Sequence, residues 1–269
     1  MESVEILEGL TGCSSIRLVR RGNVAVKYAL RIAKALNRKK AFIQDQGGWI
    51  TYRQYALKMK MDIIKIKTDN GIIDKDDLKD DLLKNIGSDS VLLINSMPGY
   101  FALEDMKEVE RICTKAGCLL INDISGSINT GEAKYGDIII GSFGEDKPVA
   151  YGRCGFIAVR EPDYFNLVLM EEVAEDKMLL EKLNTLDTRL ENMKRIRDKV
   201  ISDLKDYDII HKERHGINII VRFSDSAEKE KIINYCQSND YEYTLCPRNI
   251  RVECDAVSIE LKRLFKGDK

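Results

Sequence analysis

A hydroxyl and an amine stand five residues apart in Ser142-Phe143-Gly144-Glu145-Asp146-Lys147. On one loop such a pair can reach a phosphate and a carbonyl of a single ligand, and a lysine becomes a Schiff-base nucleophile when burial or neighbours depress its pKa. The plain alternative is a solvated surface charge, one of the chain's 43 Lys+Arg. Asp123 directly follows the apolar run Cys118-Leu119-Leu120-Ile121-Asn122. A carboxylate there can bind a metal, act as a base, pair with a cationic ring nitrogen, or cap a turn. In Arg21-Gly22-Asn23, glycine allows close backbone approach and a helix start would offer free N–H groups to a phosphate, with Asn23 adding a donor. An ordinary turn with an Asn N-cap is the competing reading. Trp49, the single tryptophan, follows Gly47-Gly48 and can stack on a flat heterocycle or pack in the core.

These residues need elements to position them. Periodicity predicts strands over Ser15–Val19, Lys40–Gln44, Asp62–Lys67, Ser90–Asn95, Cys118–Asn122, Gly136–Phe143 and Gly155–Val159. It predicts helices over Val24–Leu36, Tyr52–Lys60, Asp74–Lys84 and Leu103–Ala116. Strands alternating with helices at this spacing imply an α/β fold, a mostly parallel sheet covered on both faces. Ligands of such sheets sit at the carboxyl ends of the strands, where the chemically suggestive residues fall. From Tyr164 to Leu204 the pattern is one long charged helical stretch. Beyond it, strands over Gly216–Phe223, Tyr241–Leu245 and Asn249–Glu253, with helices over Ala227–Ser238 and Val257–Phe265, form a small α+β unit. The expected division is a large α/β domain at 1–163, a linking helical region at 164–206 and a small domain at 207–269.

Composition narrows the function. With 43 basic and 44 acidic residues and a net charge of -1, the chain has no global electrostatic footprint for nucleic acid. Its apolar runs are strand-sized, too short to span a bilayer, and Met1-Glu2-Ser3-Val4-Glu5 lacks the basic start and apolar stretch of a signal peptide, so a cytoplasmic location is expected. Seven cysteines include no C-x-x-C pair, and His211 and His215 lie far from any cysteine cluster. The expectation is free thiols and no metal site. Neither GxGxxG nor a Walker A sequence is present, which disfavours a plain nucleotide-binding protein.

The order of phosphate turn, aromatic residue, strand-end Asp and Ser-x4-Lys, followed by Gly152-Arg153-Cys154-Gly155 and an apolar strand, resembles the fold-type I pyridoxal-phosphate (PLP) enzymes of the aspartate aminotransferase superfamily. The likeness is strongest to their sugar-aminotransferase branch, in shortened form. It implies that Lys147 forms a Schiff base with PLP and shuttles a proton, and that Asp123 pairs with the ring nitrogen. By the same resemblance Gly22, Asn23 and Ser142 hold the phosphate, Ser125 joins the cofactor contacts, and Trp49 stacks on the ring. Arg251, in Asn249-Ile250-Arg251-Val252, matches a late-strand arginine that grips the substrate carboxylate in a bidentate fork. The resemblance implies an aminotransferase acting on an amino acid or small amine, working as a homodimer. A lyase, a desulfurase, a tRNA-linked amino-acid enzyme or a non-catalytic relative are the alternatives. Gly126 stands where the sugar-aminotransferase branch has Gln or His at the ring hydroxyl, and Arg153-Cys154 replace an acidic residue and Gly, so the sugar substrate does not follow.

Overall fold

The computed structural model describes residues 2–85 and 87–264. In chain order the first part comprises α1 (Ser3–Thr11), β1 (Ser15–Val19), α2 (Gly22–Ala35), β2 (Lys40–Gln44), α3 (Ile50–Lys58) and β3 (Asp62–Ile66). A small hairpin of β4 (Thr68–Asp69) and β5 (Ile72–Ile73) follows, then α4 (Lys75–Lys84), β6 (Ser90–Asn95), α5 (Met106–Ala116), β7 (Leu119–Asp123), β8 (Ile138–Ser142) and β9 (Gly155–Val159). The last part holds α6 (Lys177–Asn184), α7 (Leu186–Asp203), β10 (Ile219–Arg222), α8 (Ser226–Ser238), β11 (Tyr243–Cys246) and β12 (Ala256–Ile259).

Seven strands form the main sheet in the order β1-β9-β8-β7-β6-β2-β3. Strands β3, β2, β6, β7 and β8 run parallel, and β9 is antiparallel to both β8 and β1. Side chains alternate across this sheet, as the two-residue period of a strand requires. Ala41, Ile43, Val91, Leu93, Ile121 and Ile140 face one side, against the apolar stripes of α2 and α3. Phe42, Leu92, Ile94 and Leu120 face the other, against α4 and α5, while Ile139, Phe156 and Ala158 meet α1 and α6. A sheet buried on both faces explains why its central strands read as continuous apolar runs. The polar residues Asn95, Asp123 and Ser142 close β6, β7 and β8 at their carboxyl ends.

The antiparallel sheet β10-β12-β11 packs Ile219, Val221, Val257 and Ile259 against α7 and α8. Its other face, with Ile220 and Ala256, joins Phe101, Ala102 and Ile72 in a second core. Backbone bonds tie it to the loop after β6: Ile217 and Asn218 both donate to the Tyr100 carbonyl at 2.8 Å.

Three sequence expectations are corrected here. The stretch 164–204 is not one helical run, because residues 168–176 form an extended strap before α6 and α7. The strap's amides are engaged elsewhere, Val173 donating to the Leu18 carbonyl at 3.0 Å and Glu171 to the Tyr28 hydroxyl at 3.0 Å. Asp176 then caps α6 by accepting from Leu179. Asn249–Glu253 is a turn rather than a strand, closed by Arg251 N–H on the Arg248 carbonyl and Arg248 N–H on Val252. The helix expected over Val257–Phe265 is strand β12 as far as Ile259, with Val257 and Ile259 on one face at period two, followed by a short 3-10 turn over Leu261–Arg263; Phe265 lies outside the described residues. Helix α1 and the β4–β5 hairpin had no counterpart in the sequence reading.

The main sheet meets the start of α2 through a contact that only glycine permits. A Cβ on Gly155 would stand 2.6 Å from the Gly141 carbonyl oxygen and 2.7 Å from the Gly22 amide nitrogen. Gly155→Ala is therefore expected to cost about 1–3 kcal/mol of unfolding free energy, the usual effect of overpacking, with chemical denaturation as the measurement. Native stability in that variant would show that the Gly22 turn is not held by this contact.

Candidate functional site

The carboxyl ends of the parallel strands open onto a cavity of about 540 Å³. All eight residues singled out in the sequence line it: Gly22, Asn23, Trp49, Asp123, Ser125, Ser142, Lys147 and Arg251. Chain order scatters them over more than 200 positions, and the topology gathers them at one end of one sheet.

Asp123 is buried at the end of β7. Its Oδ1 accepts from the Ser125 amide at 2.9 Å and its Oδ2 from the Tyr52 hydroxyl at 2.6 Å. A carboxylate has about four acceptor positions, so a further N–H from the cavity can still be accepted. Burial, then the Asp123 charge and hydrogen bond, push the Tyr52 phenol well above its usual range, so it stays a donor. Ser125 in turn accepts the Ser142 amide on its hydroxyl at 2.9 Å, which fastens the end of β8 to the Asp123 turn.

On the opposite wall, the Trp49 indole N–H donates to Asn23 Oδ1 at 2.8 Å, and the Thr51 hydroxyl reaches the same oxygen at 3.4 Å. Indole N–H is a donor only. The Asn23 oxygen must therefore face Trp49, which leaves its amide N–H groups for a ligand. Trp49 is 37% exposed at the mouth. A Cβ on Gly22 would fall 2.5 Å from Ser142 Cβ and 2.9 Å from its hydroxyl oxygen, so the N-terminus of α2 sits hard against the end of β8.

Lys147 rides on the loop between β8 and β9. The loop is drawn tight by Gly152 N–H on the Phe143 carbonyl and Phe143 N–H on Cys154, and Arg189 of α7 donates to the Pro148 and Val149 carbonyls at 2.9 and 2.7 Å. The amine donates to the Tyr100 hydroxyl. It lies 4.5 Å from the centroid of the Tyr100 ring and 5.3 Å from that of Trp49.

Arg251 reaches the cavity but not in the expected role. Its Nε and Nη2 donate to the two oxygens of Glu260, each at 2.7 Å, and Nη1 donates to the Ile250 carbonyl at 2.9 Å. The fork assigned to a substrate carboxylate thus holds a protein carboxylate, and two of the five guanidinium N–H donors remain. Burial alone raises the Glu260 carboxyl, but the Arg251 hydrogen bonds and charge, aided by Lys262 and Arg263, hold it down at about 2. Lys262, 4% exposed, has its Nζ 3.5 Å from Glu260 and 4.9 Å from the Tyr100 centroid. Its burial, only partly offset by Glu260, lowers it to about 7.

Tyr52, Tyr100, Glu260 and Lys262 escaped the sequence reading. Asn95, which also lines the cavity, was within reach of the strand-end rule. For Lys262 no signal existed among so many lysines. The thiols are free, with Cys254 partly exposed and the other six buried. Among the described residues no group of His, Cys, Asp or Glu could hold a metal, and no helix is long and apolar enough to cross a membrane.

No protein-family model and no curated protein sequence matches the chain. Solved structures share its fold. The 3-amino-5-hydroxybenzoic acid synthase superposes with a TM-score of 0.74 at 13% identity, over 99% of this chain and 87% of that one. GDP-4-keto-6-deoxymannose-3-dehydratase with bound GDP-perosamine gives 0.73 at 12%, over 96% and 88%. A structure described as SPT with PLP gives 0.72 at 12%, over 96% and 70%. At such identities the likeness establishes the fold alone, a mostly parallel α/β sheet shared with these structures.

The Arg251–Glu260 pair generates a pH test. Glu260 titrates near 2 in the folded chain against an ordinary 4.5. Its stabilisation is complete above about pH 4.5 and is lost as pH falls toward 2. Glu260→Gln, which leaves the buried Arg251 guanidinium without its carboxylate, is expected to cost about 3–5 kcal/mol at pH 7 and to flatten that part of the acid limb. Urea unfolding at pH 7, 4.5 and 3 measures both, and an unchanged acid limb would count against the assignment.

Proposed function

We propose that this chain is a PLP-dependent enzyme, aminotransferase-like in its chemistry, acting on an amino acid or other small amine. One observation carries the reading: Lys147 and Asp123 line a single cavity whose far wall is the Gly22–Asn23 turn and the Ser142 hydroxyl.

The residues fit the cofactor. The positive end of α2, the Asn23 side-chain amide and the Ser142 hydroxyl suit a phosphate. Asp123 keeps acceptor capacity for a ring N–H, and Trp49 stands at the mouth as a flat apolar wall. Bound there, PLP supplies an aldehyde that condenses with amines and a ring that withdraws electrons from the substrate Cα.

The chain's own part is to bind, orient and move protons. Lys147 supplies the amine and, once freed by the substrate, takes and returns the Cα proton at its Nζ. Tyr100, hydrogen-bonded to that nitrogen, fixes where it points. Asp123, held by Tyr52 and Ser125, fixes the protonation of its ring partner. The buried Cys154 thiol is pushed up to about 11 by desolvation, so it is no ready nucleophile for sulfur transfer. We extend the proposal to a homodimer, supported by the exposed apolar strip Trp49, Ile50 and Leu57 beside the cavity mouth.

Borohydride reduction in the presence of PLP, followed by peptide mapping, tests the reading. The expected mass addition lies on the peptide carrying Lys147 and is absent in Lys147→Ala. Asp123→Ala is expected to retain some cofactor while turnover with amino donors falls by about 100-fold or more. Labelling on another lysine, or none, would overturn the assignment.

A further inference from the structure

Lys147 and Lys262 both line the cavity, and the proposed function uses only the first. Lys262 is buried, and its Nζ has no hydrogen bond among the described residues. The carboxylate beside it is fully engaged. Glu260 Oε1 accepts from Arg251 Nε and the Ser258 hydroxyl at 2.7 and 2.9 Å, and Oε2 accepts from Arg251 Nη2 and the Asn218 amide at 2.7 and 3.1 Å. These four bonds use the acceptor positions a carboxylate offers, so Lys262 Nζ, 3.5 Å from Oε2, has a charge contact only. Arg263 stands 3.8 Å from the same carboxylate and also meets Glu242 at 3.1 Å and Asp146 at 3.9 Å. The other groups facing Lys262 are the Tyr100 ring and Lys147, a like charge. One carboxylate already forked by Arg251 does not offset a second buried cation as well. A guanidinium keeps its proton in a protein, whereas an amine can release it. The cluster is therefore relieved at Lys262, whose burial, only partly offset by Glu260, lowers its pKa to about 7.

We propose that Lys262 is a second proton-transfer residue of the cavity, an uncharged amine that takes the proton of the incoming substrate ammonium and so frees that nitrogen to react. This rests on the proposed function and deepens it. An amine substrate arrives protonated at neutral pH, and its nitrogen then has no lone pair. With the cofactor bound, Lys147 is committed to it and Asp123 to the ring nitrogen, which leaves Lys262 as the base within reach. Its Nζ and that of Lys147 stand over the same Tyr100 ring, 4.9 and 4.5 Å from the centroid. In the step an N–H bond of the substrate ammonium breaks and one forms on Lys262 Nζ. The electron pair stays on the substrate nitrogen, and Lys262 passes the proton to solvent at the cavity mouth.

Two amine probes on the full chain loaded with PLP test the role. Methylamine is an ammonium at neutral pH and must lose a proton to react, whereas methoxyamine is already neutral. Each captures the bound aldehyde, and the change in cofactor absorbance follows the capture without any turnover. The ratio of the methylamine rate to the methoxyamine rate isolates the proton step. In the native chain it is expected to rise up to about pH 7 and then level off, because the Lys262 amine is by then uncharged. In Lys262→Met the ratio is expected to be about 100-fold lower at pH 7 and to climb about tenfold per pH unit from 6 to 9, following the free probe. Lys262→Arg keeps a cation but cannot accept a proton, so it is expected to match Lys262→Met; a purely structural lysine would be rescued by arginine. A native ratio that climbs without levelling through pH 9 would overturn the role, and that result needs no variant to fold. Levelling that survives Lys262→Arg would do the same. Borohydride labelling separates this role from the reading beneath it. PLP fixed at Lys147 with no levelling keeps the proposed function and loses Lys262 as a base, and no PLP at Lys147 loses both.

Discussion

At Gly155, strand β9 runs so close to the Gly141 carbonyl and the Gly22 amide that a single methyl group would meet both. The same packing presses Gly22 against Ser142. The first turn of α2, the end of β8 and the start of β9 are thereby held as one unit, and this unit is the wall that offers donors to a phosphate. The Lys147 loop begins and ends on it, since it leaves from Ser142 and returns through Cys154, whose amide bonds the Arg20 carbonyl. Positioning of the amine is thus inherited from backbone packing rather than from side-chain contacts alone.

A second set of constraints runs across the cavity. Asp123 is buried, and its two oxygens are held by Tyr52 and Ser125. Tyr100 sits between Lys147 and Lys262, its ring within 5 Å of both amines, and its carbonyl receives the amides of Ile217 and Asn218 from the small-sheet side. The loop after β6 therefore binds the two sheets together and faces Lys147 with the same residue. Displacing the small sheet would move Tyr100, and with it the partner of the Lys147 amine.

Much of the main sheet was legible because its signals are local. Apolar runs such as Val91–Ile94 and Ile138–Ile140 are buried on both faces, and Asp74 caps α4 by accepting from Asp76 and Asp77. The strand-end rule also brought Asp123, Ser142 and Trp49 to one place. What failed was non-local. Val257-to-Leu264 carries enough apolar residues for a short helix, yet pairing with β10 and β11 makes its first part, to Ile259, a strand, and only Leu261–Arg263 turns helical, as one 3-10 turn. Arg251 suits a carboxylate, yet no local pattern says that the carboxylate is Glu260, nine residues on. Lys262 acquires its character entirely from burial beside Arg251 and Glu260, which a one-dimensional reading cannot weigh.

The extended strap at 168–176 has a consequence for how the molecule lives in a crowded solution. Strand β1 is an edge of the main sheet, and an edge with unpaired backbone groups is a template for another chain. Val173 occupies the Leu18 carbonyl on that edge, while Arg17 is paired with Glu172 of the same strap. The opposite edge, β3, has exposed Asp62 and Lys65 on its flank, and charges of this kind discourage strand addition. Strand addition is thus discouraged at one side by the chain itself and at the other by charge, and the first of these guards is a segment that has no strand or helix of its own.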